Sequence, residues 1–153
     1  MTFRIAVAAI AALAFGPLAA YAQDATTPAA PAEPAGPLAF QLNKAETREG
    51  SCQLTFVVQN NTGTVIQKSV YNIAIVDTDG AVSQLVNIEF RPLPVGRPKV
   101  QGFGIPGVPC ENISAISINE FNECTTDAGE ASSLCEDAIT QSSRIPIEFP
   151  WTL

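Results

Sequence analysis

Histidine is absent from this 153-residue chain. That absence removes the Ser-His and Cys-His nucleophilic systems and the commonest ligand of zinc and copper. The single Met is residue 1 and is lost if the leader described below is cleaved, so thioether ligation of copper goes as well. The four cysteines include no Cys-x-x-Cys pair, and no serine stands three residues before a lysine. The usual redox and zinc spacings and the Ser-Lys dyad therefore have no footing. Basic side chains are few, 8 against 15 acidic ones, for a net charge of −7. Without a basic footprint the surface repels nucleic acid and anionic lipid. The expectation from these deficits is a protein that is not an enzyme and that carries no metal and no cofactor.

Long hydrophobic runs are missing too, except at the N-terminus. Arg4 is followed by a nearly uncharged apolar stretch from Ile5 to Leu18 that is broken by Gly16 and Pro17. Ala20, Tyr21 and Ala22 then form a small-x-small site before Gln23. The run is short for a membrane span, and the flanks are those of a cleaved export signal, residues 1–22. A lone Arg excludes a twin-arginine signal, and Gln rather than Cys at position 23 closes the lipoprotein route. A periplasmic or secreted location follows, with no stable membrane insertion after cleavage. Residues 23–37 are dominated by alanine and proline, with no alternation and nothing to bury. They read as an extended, solvated linker. The remainder, 38–153, is of a size for one domain.

That domain alternates with period two. Leu38, Phe40 and Leu42 start the pattern, Glu49-Gly50 turns the chain, and Cys52, Leu54, Phe56 and Val58 continue it up to Asn60. Tyr71 to Val76 is a nearly continuous apolar run, expected of a central strand. Asp79-Gly80 predicts a hairpin with a primed turn into Val82–Phe90. Prolines 92, 94 and 98 make a loop. Lys99–Ile105, Ile113–Ile118 and Arg144–Phe149 complete about seven strands, with Pro146 placing the last at an edge. Ala131, Leu134, Ala138 and Ile139 fall at helical spacing and allow one short helix between Glu130 and Ser142. The fold class expected is all-β, an immunoglobulin-like antiparallel β-sandwich. Seven strands are short of the eight that the smallest transmembrane barrel needs.

Four cysteines in an exported chain read as two disulfides, with three possible pairings. Cys52 lies on the inward face of its strand and Cys110 just before another, so a bond between them would staple the core. Cys124 and Cys135 enclose a polar loop that has little else to hold it. Cys52–Cys110 and Cys124–Cys135 is the expected pairing.

Three surface features remain. Arg91, Arg97 and Lys99 concentrate basic charge on an acidic protein, and Arg144 would join them if the last strand lies near. With the apolar C-terminal Trp151 they form the candidate partner surface. Asp77-x-Asp79-Gly80 opens like a calcium loop, but position 88 is Ile, and a hairpin turn is the better reading. Glu120, Glu123, Asp127, Glu130, Glu136 and Asp137 gather acid around the second cysteine pair, the place where a cation would sit if one is bound. Asn60-Asn61-Thr62 and Asn112-Ile113-Ser114 match the glycosylation acceptor pattern.

The order Cys52 to Asn60, Asp77 to Gly80, Leu93 to Gly96 and then Cys110 resembles a group of small exported alphaproteobacterial proteins of uncharacterised function. Leu54 to Phe103 also resembles bacterial immunoglobulin-like extracytoplasmic modules. Neither resemblance brings catalytic residues. The function expected is a non-catalytic interaction or accessory module whose partner is an envelope protein. The alternative is a periplasmic protein that binds a small ligand or cation.

Overall fold

The strict alternation of Cys52, Leu54, Phe56 and Val58 is realised as a strand with one face in a core, and the strands around it follow from the same pattern. The computed structural model describes residues 36–137 and 139–150. The export signal, nearly all of the linker, and Trp151 lie outside the described residues. Among the described residues seven strands form two sheets: β1 (Leu38–Arg48), β2 (Ser51–Asn60), β3 (Ile66–Asp77), β4 (Val82–Phe90), β5 (Lys99–Ile105), β6 (Ile113–Thr126) and β7 (Ile139–Ser143). The first sheet has the order β5-β2-β1-β7 and the second β4-β3-β6. This is a β-sandwich. The β1-β2-β5 and β3-β6 neighbours match the A-B-E and C-F neighbours of the immunoglobulin arrangement. β4 pairs with β3, and β7 is added beside β1 in parallel, the one parallel pairing between these strands.

Turn chemistry places the hairpins. Glu49 and Gly50 have φ of 50° and 73°, and Arg48 pairs with Ser51 across them. Two consecutive left-handed residues in a two-residue loop make the primed turn that suits twisted strands. The primed turn expected at Asp79-Gly80 is not there. Only Gly80 has positive φ (82°), and Asp77 N–H donates to the Ala81 carbonyl while Gly80 N–H donates to Asp77. The turn is a longer loop ending in a left-handed glycine. It is stabilised because Asp77 Oδ1 accepts from the N–H groups of Asp79 (3.0 Å) and Ala81 (2.9 Å).

Several strands outrun the sequence pattern. β1 continues to Arg48 past a bulge at Asn43, β3 starts at Ile66, and β6 runs on to Thr126. The expected last strand, Arg144–Phe149, is a correction. The helix allowed between Glu130 and Ser142 is the single turn α1, Leu134–Asp137, and Ile139, one of the residues at helical spacing, instead opens β7, Ile139–Ser143. After β7 the chain leaves the first sheet and reaches the second. Glu148 exchanges hydrogen bonds with Ser114 and Ile116, both 2.9 Å, and Ile147 and Phe149 are buried. Pro146, lacking an N–H, falls in the crossing between the two sheets.

The core is aromatic. Phe90 from the second sheet sits edge-on to Phe103 (4.9 Å), Phe40 (5.1 Å) and Phe56 (5.7 Å) of the first. Edge-to-face packing of this kind adds about 0.5–1.5 kcal/mol per pair beyond the area it buries. Both expected disulfides are formed, with Cα separations of 4.6 Å for Cys52–Cys110 and 5.9 Å for Cys124–Cys135. Cys110 opens a 3₁₀ turn, Cys110–Asn112, and Thr47 holds that turn against the first sheet. Its Oγ1 accepts from Cys110 N–H (2.8 Å) and donates to Glu111 (2.7 Å).

Candidate interaction surface

Asn60 ends β2 facing inward and is 1% exposed. Its Nδ2 donates to the carbonyls of Leu93 (2.7 Å) and Thr64 (2.9 Å), while Oδ1 accepts from Thr62 N–H (3.0 Å) and Thr62 Oγ1 (2.8 Å). The backbone also joins in, with Gly96 N–H donating to the Asn60 carbonyl and Leu93 paired both ways with Ile66. One buried amide thus fixes the proline-rich connection between β4 and β5, the segment that carries the candidate basic residues. Of the two glycosylation triplets, Asn60 has no free amide to modify, whereas Asn112 is exposed.

The basic residues on that connection fare differently. Arg91 is paired with Glu89, and Lys68 bridges Glu89 (3.7 Å) and Glu123 (2.6 Å). The Arg91 guanidinium, with Lys68 adding to it, holds the Glu89 carboxyl below the usual carboxylate range. Arg97 and Lys99 have no carboxylate partner among the described residues, and they stand between Val95 and Val100, which are 40% and 61% exposed. Arg144 does not join them. It follows β7 at one edge of the first sheet, its N–H bonded to Leu42, whereas Lys99 begins β5 at the opposite edge.

The acidic residues near the second disulfide do not converge. Glu123 points to Lys68 on the outer face of the second sheet, and Asp137 accepts from Ser133 at the turn of α1. Among the described residues no three acidic or cysteine side chains stand as metal ligands would. A groove of about 440 Å³ runs beside this disulfide, lined by Glu123, Thr125, Ser132, Ser133 and Glu136 among others. Within the core, Tyr71 donates to the Cys135 carbonyl (3.0 Å), and burial pushes its hydroxyl far above the usual tyrosine range. That phenol is a structural tie to the disulfide loop.

One cluster escaped the sequence reading. Asn72 on β3, Asn87 on β4, and Asn119 and Asn122 on β6 meet on the outer face of the second sheet. Asn72 donates to Asn87 (2.8 Å), Asn122 to Asn87 (3.3 Å) and Asn119 to Asn72 (3.0 Å). Val70 pairs with Glu123 but Tyr71 with Phe121, and Asn72 pairs with Glu120 but Ile73 with Ile118, so Asn122 and Asn119 are each the extra residue of a β-bulge. The signal available in the sequence was Asn72 and Asn87 inside two strand segments, where this residue is depleted; Asn119 and Asn122 lie past the end of the segment Ile113–Ile118 and gave none.

No protein-family profile matches the chain, and no curated protein matches its sequence. In three dimensions the chain is similar to IrmA from Escherichia coli. The two align with a TM-score of 0.52 at 14% identity, over 68% of this chain and 89% of that one. At that identity the likeness concerns the fold alone. Among the described residues no helix is long and apolar enough to cross a membrane.

Proposed function

We propose that this chain is a non-catalytic interaction module of the bacterial cell envelope, exported to the periplasm or beyond, and that its partner docks on the segment Val95 to Val100. The observation that carries the reading is that Val95–Val100 holds two exposed valines together with Arg97 and Lys99, which have no carboxylate partner among the described residues, on a chain of net charge −7. Such a ridge suits an envelope protein that offers an apolar segment flanked by carboxylates, because opposite charges steer the encounter while apolar contact holds it. The two disulfides suit an oxidising compartment, and the N-terminal residues supply the export pattern. The connection is pinned by Asn60 and Leu93, so the ridge is presented without a large ordering cost.

In-cell crosslinking of the tagged mature protein, read by mass spectrometry, tests this. The expected result is a stoichiometric envelope partner with the wild type, lost in the double variant Arg97→Glu, Lys99→Glu, whose melting temperature is unchanged. Equal recovery with both proteins refutes the assigned surface. Recovery of no partner refutes the module.

A further inference from the structure

The asparagine cluster on the outer face of the second sheet is the feature that the fold itself does not need. Asparagine is among the poorer strand formers, and exposed positions on three adjacent strands are where Thr or Val would stabilise the sheet better. Here four asparagines occupy outward positions, Asn87, Asn119 and Asn122 exposed and Asn72 half-buried between them, and two bulges of β6 bring in Asn119 and Asn122. Bulges re-aim side chains, and breaks of local preference without structural gain gather at binding sites.

The three hydrogen bonds among these amides orient them but do not exhaust them. An amide has two N–H donors and an oxygen with two lone pairs. Asn72, Asn119 and Asn122 each keep a second N–H, Asn87 keeps both, and the oxygens of Asn119 and Asn122 take no bond within the cluster. The cluster therefore presents fixed donors and acceptors side by side. Leu85, 56% exposed, lies two residues from Asn87 on the same face of β4 and supplies an apolar step beside them. The neighbouring charges neutralise one another: Lys68 lies between Glu89 and Glu123, and Arg91 lies on Glu89. Glu120, paired opposite Asn72, adds an acceptor and disfavours anions.

We infer that this face is a binding site for a neutral, hydroxyl-rich glycan. Each sugar hydroxyl both donates and accepts, which matches amides that offer both at once, and the C–H face of a pyranose matches Leu85. Lys68 and Arg91 balance Glu89 and Glu123, and Glu120 leaves the face slightly acidic, so an uncharged ligand suits it and an anion does not. The site lies on a different face from the Val95–Val100 ridge and does not depend on the protein partner proposed there.

The test is titration of the ¹⁵N-labelled mature protein with maltohexaose, mannohexaose and chitohexaose at millimolar concentration, following the side-chain amide signals of Asn72, Asn87, Asn119 and Asn122. The expected result is movement of these signals with at least one of the three. The exposed substitution Asn87→Ala should weaken that binding roughly tenfold or more at unchanged melting temperature. The inference is overturned if the four signals stay fixed with all three oligosaccharides, if Asn87→Ala binds like the wild type, or if a sulfated oligosaccharide binds as well as the neutral ones. Crosslinking of Asn87→Ala in cells separates the two proposals, since the Val95–Val100 partner should still be captured.

Discussion

Replacing Asn60 by Ala removes one buried side chain and four hydrogen bonds. The consequences are unequal. The Leu93 carbonyl keeps the N–H of Ile66, but Thr62 N–H loses the acceptor it has here, and the Thr64 carbonyl loses its amide donor. Each buried group left without a partner costs about 1–3 kcal/mol. With one group fully orphaned and two weakened, the expected loss is about 3 kcal/mol. For a domain of this size that corresponds to a fall in melting temperature of about 10 °C. Asn60→Asp sharpens the test. It turns the amide that donates to two carbonyls into a carboxylate oxygen facing them, so the buried acid is held above its unfolded pKa of about 3.9. A folded pKa raised in this way destabilises the protein at neutral pH and relieves it as pH falls through the folded value, because the protonated acid donates again. Thermal melts from pH 7 down to pH 4 should show Asn60→Asp gaining on Asn60→Ala. Parallel pH profiles for the two variants, or a loss below 1 kcal/mol for Asn60→Ala, would refute the claim that this amide organises the β4–β5 connection.

The disulfides should be separable by denaturant unfolding. Opening Cys52–Cys110, which spans 58 positions, should cost about 4 kcal/mol, and opening Cys124–Cys135, which spans 11, about 3 kcal/mol on the chain-entropy account. Glu49, non-glycine at positive φ, is a point of local strain. Glu49→Asn should raise stability by about 0.5–1 kcal/mol, visible as a higher denaturant midpoint at unchanged slope. Glu46, Glu89 and Glu111 all have lowered pKa values, through Lys44 and Arg48, through Arg91, and through the Thr47 hydroxyl respectively. A depressed carboxylate contributes stability that is present above its unfolded pKa and lost as pH falls through the folded one. The wild-type melting temperature should therefore hold between pH 7 and 5 and decline below about 4, and Glu89→Gln should flatten part of that decline.

Strands with one face in the core were legible because burial imposes period two on residues such as Cys52 to Val58. The disulfide pairing was legible because two cysteines lay on inward or strand-starting positions and two flanked a loop. The C-terminal region was misread for a physical reason. Ile139 to Ser143 pairs on one side only, with β1, and its inward positions are Ile139, Gln141 and Ser143, so polar residues stand where an alternating strand would show apolar ones. Conversely, Ile145, Ile147 and Phe149 alternate well but reach the core through a crossing, joined to the second sheet only around Glu148. Bulges hid the asparagine cluster, because an extra residue breaks the spacing from which a shared face is inferred. For the same reason the ends of β3 and β6 ran past their apolar segments. The separation of Arg144 from Lys99 is a matter of strand order, which periodicity does not encode.

The crossing of residues 144–148 also governs the order in which the molecule can be assembled. Leu38 pairs with Ile139, about a hundred positions later, and Ser114 and Ile116 wait for Glu148. A chain made from its N-terminus forward has its first strand ready long before the strand that covers it. Until residues 139–149 arrive, β1 and β6 both present bare backbone at the same side of the sandwich, and Phe56 lacks Phe149. Closure of the two sheets on that side is therefore a single late event, and its loop-closure entropy falls on the final step rather than being spread along synthesis. Truncation before Ile139 should accordingly leave a collapsed chain with two sticky edges, prone to pair with its own copies.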